Sequence, residues 1–94
     1  MLEQKVEAQL KYHVESLGGL CYKMTSPGRA GVPDRVCIMP GGDIYFIEVK
    51  RPGKAPRALQ RVVMDTMNKV SGESIAFFIS SQAEICKEFA KRGW

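Results

Sequence analysis

Between residues 3 and 17, Val6, Leu10, Val14 and Leu17 recur at spacings of four, four and three among charged neighbours. That one-sided stripe predicts an amphipathic helix, and Gly18 and Gly19 end it. GLCYKM (residues 19 to 24) is short and mostly apolar and predicts a first strand. SPGRAGVP (residues 26 to 33) carries two glycines and two prolines and reads as loop. Arg35 to Met39 is a second strand, Pro40 to Asp43 a tight connection, and Ile44 to Arg51 the strongest strand of the sequence. On that strand Ile44, Phe46, Glu48 and Lys50 share one face, while Tyr45, Ile47 and Val49 share the other, which predicts a central strand covered on both sides. PGKAPR is loop, and Leu59, Val63, Met67 and Val70 mark a second helix from Arg57 to about Gly72. A strand at Ser74 to Ile79 follows. A last helix starts near Ser81, capped by that serine with Glu84 at the third position, and carries Ile85 and Phe89 inward. The order is helix, three strands, helix, strand, helix, with no repeat and no interior linker, so residues 1–94 are expected to form one domain.

Composition narrows the class. The 94 residues are 45% hydrophobic and 26% charged, a balance typical of a folded globule and far from that of a disordered chain. No apolar run approaches the ~20 residues that span a bilayer, and the charged N-terminus lacks the apolar block of a secretion signal, so a cytoplasmic protein is expected. Cys21, Cys37 and Cys86 are odd in number, with no CxxC spacing, and are expected to be buried, reduced thiols. The net charge is +4, but residues 23 to 61 hold eight basic residues against three acids, so the positive field lies mid-chain, as a polyanion-binding face requires.

One strand carries an anomaly. Glu48 and Lys50 share a face of an otherwise apolar strand, although an unpaired buried charge is costly. Asp34 lies fourteen positions before Glu48, at the mouth of the partner strand. Two carboxylates beside a lysine form a hard, oxygen-rich site that suits Mg²⁺ or Mn²⁺. The lysine can orient or deprotonate an attacking water, or neutralise the charge that builds on a phosphoryl transition state. The hairpin raises one difficulty. A turn pairing Met39 with Ile44 sets Asp34 opposite Val49, off the Glu48 face, so Asp34 is expected at a β-bulge or loop end with its carboxylate swung toward Glu48.

Gly31-Val32-Pro33-Asp34, thirteen intervening residues, Glu48-Val49-Lys50 and a downstream Gln60 resemble the PD-(D/E)xK nuclease superfamily and, within it, the VRR-NUC domain of the stand-alone phage and prophage kind. The resemblance implies an α/β, restriction-endonuclease-like core, αβββαβ with a C-terminal helix around a central mixed sheet. It also implies a Mg²⁺- or Mn²⁺-dependent endodeoxyribonuclease that acts as a homodimer on branched DNA such as Holliday junctions. Asp34 and Glu48 match the metal carboxylates, the Val49 carbonyl a further ligand, Lys50 the catalytic lysine and Gln60 a supporting glutamine. The family places a glutamate on the first helix; Glu7 is preferred here, beside Val6 and Leu10, with Glu3 one turn earlier as its rival. Ser26, Arg29, Arg35, Arg51, Lys54, Arg57 and Arg61 are expected to meet DNA phosphates.

Other chemistries find little support. His13 is the only histidine and is expected on the surface, which leaves no Ser-His or Cys-His arrangement. The glycines form no GxGxxG or Walker pattern, so no nucleotide cofactor is expected. Trp94 is either a dimer contact or a frayed end. A DNA-binding module of the same fold that cuts nothing is the alternative function.

Overall fold

A computed structural model describes residues 2–94. The chain runs α1 (Glu3–Ser16), β1 (Leu20–Lys23), β2 (Arg35–Ile38), β3 (Ile44–Val49), α2 (Ala58–Ser71), β4 (Ala76–Ile79) and α3 (Gln82–Lys91), which is the expected order. The four strands form one mixed sheet in sequence order, with β1–β2 and β2–β3 antiparallel and β3–β4 parallel through α2.

Strand alternation divides the sheet into two unlike faces. Cys21, Cys37, Met39, Tyr45, Ile47, Val49, Phe77 and Ile79 point to one face, where they meet Val6, Leu10 and Val14 of α1 and Ile85 and Phe89 of α3. Each fully buried aliphatic or aromatic side chain there contributes about 1.5–3 kcal/mol. Tyr45, Phe77 and Phe89 meet edge to face, with centroids 5.8–5.9 Å apart. Trp94 is neither frayed nor free: it packs against this core, and its amide donates to the Phe89 carbonyl at 2.9 Å. His13 is half-buried, its ring 5.2 Å from that of Phe89, rather than on the surface. Cys21 and Cys37 are buried as expected, but Cys86 is exposed. Its position on α3 follows Ile85 by one, which turns it away from the stripe that α3 buries.

The second face carries α2, whose Gln60, Val63 and Met64 are buried. That helix packs on β4, so toward β1 the same face stays open, with Leu20, Tyr22, Ile38 and Ile44 all exposed. On α3, Ser81 accepts from the Glu84 amide at 3.1 Å as expected. The Glu84 carboxylate turns instead to the amide and hydroxyl of Ser80, at 2.6 and 2.7 Å.

The hairpin between β2 and β3 departs from expectation and thereby places the site. Arg35 pairs with Ile47 and Ile38 with Ile44, a register one residue away from the expected one. Met39 donates to the Asp43 carbonyl at 2.8 Å, and Gly42 to the Met39 carbonyl at 3.1 Å, so the connection is only Pro40-Gly41-Gly42. Pro40 supplies the fixed φ at the first corner of this turn, and Gly41, at φ 90°, the left-handed second corner that other residues resist.

Candidate active site

A shift of one residue moves a side chain to the other face of a strand. Carried one step past the last paired residues, Arg35 and Ile47, the register sets Asp34 opposite Glu48, so the loop end on which Asp34 lies brings the two acids to one face without a bulge. Asp34 stands one residue before β2, and its carbonyl still accepts from the Met24 amide at 2.7 Å, continuing the β1–β2 ladder. The buried Pro33 fixes its backbone entry. Before it, Gly31 at φ 85° lies so near α2 that a Cβ there would stand 3.0 Å from Leu59 Cγ, which seats the loop against that helix.

Glu48 is 8% exposed. Burial pushes its carboxyl above the usual glutamate range, and the negative charge of Asp34 pushes it further. Lys50 opposes this, with Nζ 3.4 Å from Glu48 Oε2. Lys50 lies just beyond β3, yet its amide donates to the Ile79 carbonyl at 2.9 Å, which fixes the backbone from which its side chain returns to Glu48. Glu3, at the start of α1, adds a smaller negative influence on Glu48.

The two candidate helix glutamates have different surroundings. Glu7 Oε2 lies 2.9 Å from Arg35 Nη2, both side chains being largely buried. Arg35 is the register partner of Ile47, a core residue, and therefore points to the α1 face of the sheet. Glu7 thus faces Arg35 on the side opposite Glu48, whereas Glu3 is the helix acid whose charge reaches Glu48. Arg35, expected at phosphates, forms a half-buried ion pair with Glu7 on the α1 face, and its Nε has no partner in the protein. Alternation alone could have signalled this, because Arg35 is adjacent to Asp34 and must face the other way.

Gln60 is buried, and its Oε1 accepts from the Arg57 amide at 2.8 Å, closing the start of α2. Arginine has no acceptor to return the bond, so only half of a capping box forms. The amide nitrogen of Gln60 keeps its two donors for other partners. Arg61 lies over Phe78, 5.3 Å from the ring centroid, and Phe78 is the β4 partner of Glu48. Lys50, Arg51, Lys54, Arg57 and Glu3 line a groove of about 660 Å³ together with Leu2 and Gln4. Arg29 is exposed and Ser26 half-buried in the β1–β2 loop, where the Arg29 amide donates to the Ser26 carbonyl at 3.2 Å.

The donor set suits a hard divalent cation. Among the described residues no group of three His, Cys, Asp or Glu side chains forms a closed metal cage. Mg²⁺ commonly takes only one or two carboxylates and completes its shell with waters and phosphate oxygens. Two carboxylates on one face, one of them pushed above its normal range by burial first and by its neighbour's charge second, therefore fit such an ion. Among the described residues no helix is long and apolar enough to cross a membrane.

No family model matches the chain. It is 47% identical over 58 residues to the "Putative nuclease p44" of Acyrthosiphon pisum secondary endosymbiont phage 1, a stretch covering 62% of each protein. A solved structure described as "VRR_NUC domain" superposes with a TM-score of 0.80 at 31% identity, over 94% of both chains. With that identity and that superposition over nearly the whole of both chains, the chain belongs to the VRR-NUC domain family.

Proposed function

We propose that this chain is a Mg²⁺- or Mn²⁺-dependent endonuclease that hydrolyses phosphodiester bonds in DNA, with branched DNA such as Holliday junctions as its preferred substrate. The observation that carries the reading is the alignment of Asp34 with buried Glu48 across the hairpin, with Lys50 Nζ 3.4 Å from Glu48. Asp34, Glu48 and the Val49 carbonyl would hold the ion, with Glu3 favoured over Glu7 as the helix carboxylate. When bound, the ion supplies an activated water and a clamp on the scissile phosphate. Lys50 holds an ammonium beside the reacting centre, where it orients the water and offsets negative charge developing on phosphorus. Arg51, Lys54 and Arg57 line the adjoining groove and bind the phosphate backbone without reading sequence, while Ser26, Arg29 and Arg61 extend that contact.

A homodimer fits this reading. Leu20, Ile38 and Ile44 form one cross-strand row on the open face; Tyr22, Val36 and Phe46 form the next, and Asp34 and Glu48 follow. A self-complementary apolar sheet suits a two-fold contact, which would set two sites side by side for paired cuts.

The test is cleavage of labelled four-way junction, flap, single-stranded and linear duplex DNA with Mg²⁺, Mn²⁺ or EDTA, comparing wild type with Lys50→Ala. Metal-dependent cutting of a branched substrate by wild type alone supports the proposal. Binding without cleavage under every metal would reduce the protein to a DNA-binding module.

A further inference from the structure

Cys21 and Cys37 face each other across the β1–β2 ladder, both on the core side of the sheet. Their pair type follows from their neighbours. The Met24 amide donates to the Asp34 carbonyl at 2.7 Å, which makes these two a hydrogen-bonded pair at the end of the ladder. Pair types alternate along antiparallel strands, so Lys23–Arg35 is non-hydrogen-bonded, Tyr22–Val36 hydrogen-bonded and Cys21–Cys37 non-hydrogen-bonded. At such positions Cα atoms stand ~4.5 Å apart and side chains approach most closely, within the ~4.4–6.8 Å that a disulfide spans. Both residues are free thiols. Each perturbs the other: Cys37 holds Cys21 below the ordinary thiol range, while Cys21 and burial push Cys37 well above it.

Cys21 lies on β1, the edge strand, and Cys37 on the interior strand β2. The chain between β1 and β2 forms the loop that leads to Pro33 and Asp34. We propose that Cys21 and Cys37 form a reversible cross-strand disulfide by exchange with a low-molecular-weight disulfide such as oxidised glutathione, and that this bond clamps the base of the β1–β2 loop. The exchange balances in two steps. The Cys21 thiolate, its proton lost to solvent, attacks one sulfur of oxidised glutathione and expels one glutathione thiolate, leaving a mixed disulfide. The Cys37 sulfur then attacks the Cys21 sulfur, loses its proton and expels the second glutathione thiolate. The protein pair is oxidised by two electrons, one glutathione disulfide is reduced, and the two released thiolates take up the two protons.

The test uses the full chain carrying Cys86→Ser, which removes the exposed thiol and leaves the pair intact. The folded protein is incubated with millimolar oxidised glutathione, quenched with acid, unfolded, alkylated and mapped by mass spectrometry. The expected product is a chain lighter by two hydrogens that takes up no alkyl label, yields a Cys21–Cys37 cross-linked peptide, and returns to two labelled thiols after dithiothreitol. Its melting temperature is expected to exceed that of the reduced protein, because the bond restricts the unfolded chain. Two labelled thiols after oxidation, or glutathione retained on either residue, would overturn the proposal. So would a bond that forms only in denaturant. An oxidised protein that melts below the reduced one would overturn the clamp.

Discussion

Replacing Glu7 and Glu3 separately by Gln separates a structural acid from a functional one. The Glu7–Arg35 pair is 2.9 Å long, with side chains 21% and 15% exposed. Breaking a fully buried pair costs about 3–5 kcal/mol, and breaking a solvated one about 0–1 kcal/mol. At this intermediate exposure, with Arg35 left unpaired beneath α1, Glu7→Gln is expected to cost about 2 kcal/mol. A domain of this size loses ~4–8 °C per kcal/mol, so its melting temperature should fall by about 8–16 °C. With a urea slope near ~1.5 kcal/mol/M, the midpoint should fall by roughly 1 M. Glu3 is exposed and has no ion-pair partner among the described residues. Glu3→Gln should therefore leave the urea midpoint in place and lower metal-dependent cleavage about tenfold or more, in line with a site group that tunes charge. The two assays are urea unfolding followed by circular dichroism without metal, and initial cleavage rates at saturating Mg²⁺ below each variant's transition. A Glu7→Gln protein as stable as wild type but unable to cut would refute this division of roles.

Glu48→Gln should remove Mg²⁺-dependent cleavage and the rise in melting temperature on adding Mg²⁺; a variant that still shows that rise would place the ion elsewhere. Because the folded chain holds the Glu48 proton more tightly than the unfolded chain, lowering pH from neutral toward the ordinary glutamate range should add stability through this residue. That acid gain, read by urea midpoints across pH, should disappear in Glu48→Gln. Lys50→Ala should bind junction DNA within about twofold of wild type and cut it about 10²–10⁴-fold more slowly; gel shift and single-turnover kinetics distinguish the two, and equal losses in both would make Lys50 a binding residue. Gln60→Ala should lose the bond to the Arg57 amide and about 1 kcal/mol of stability by urea unfolding; no loss would refute the capping role. Tyr22→Glu, on the open sheet face, should convert a sedimenting dimer to monomer at micromolar concentration, and a monomeric wild type would refute the interface.

Apolar spacing was enough to place the seven elements, because the helices bury one stripe each and the strands supply the apolar runs between them. Val6, Leu10 and Val14 repeat at helical spacing and are all fully buried, and the alternation of β3 sorts Tyr45, Ile47 and Val49 into the core. The helix acid and the hairpin register were less legible. Glu7 lies beside the inward stripe just as a site residue would, and only the position of Arg35 in three dimensions shows what it faces. The sequence PGGD also allows connections of three or four residues, and that choice reverses the facing of Asp34. Arg35 lay in plain view, since its neighbour Asp34 was already assigned to the other side. The contact of Cys21 with Cys37 depends on the β1–β2 register, which a long intervening loop hides from any local pattern.

The turn at Pro40-Gly41-Gly42 lies at the far end of the hairpin from Asp34 and carries none of the proposed chemistry, yet its length fixes which way Asp34 points. Insertion and deletion should therefore be tolerated very unevenly across this chain. The exposed segment from Arg51 to Ala55 can change length without altering any strand pairing. One residue gained or lost at the hairpin turn would exchange the two faces of β2 relative to β3, turning Asp34 toward α1 and Arg35 toward Glu48. Homologues that share the acidic pair should accordingly keep this turn constant in length while its composition drifts, and a designer lengthening surface loops should leave this one alone.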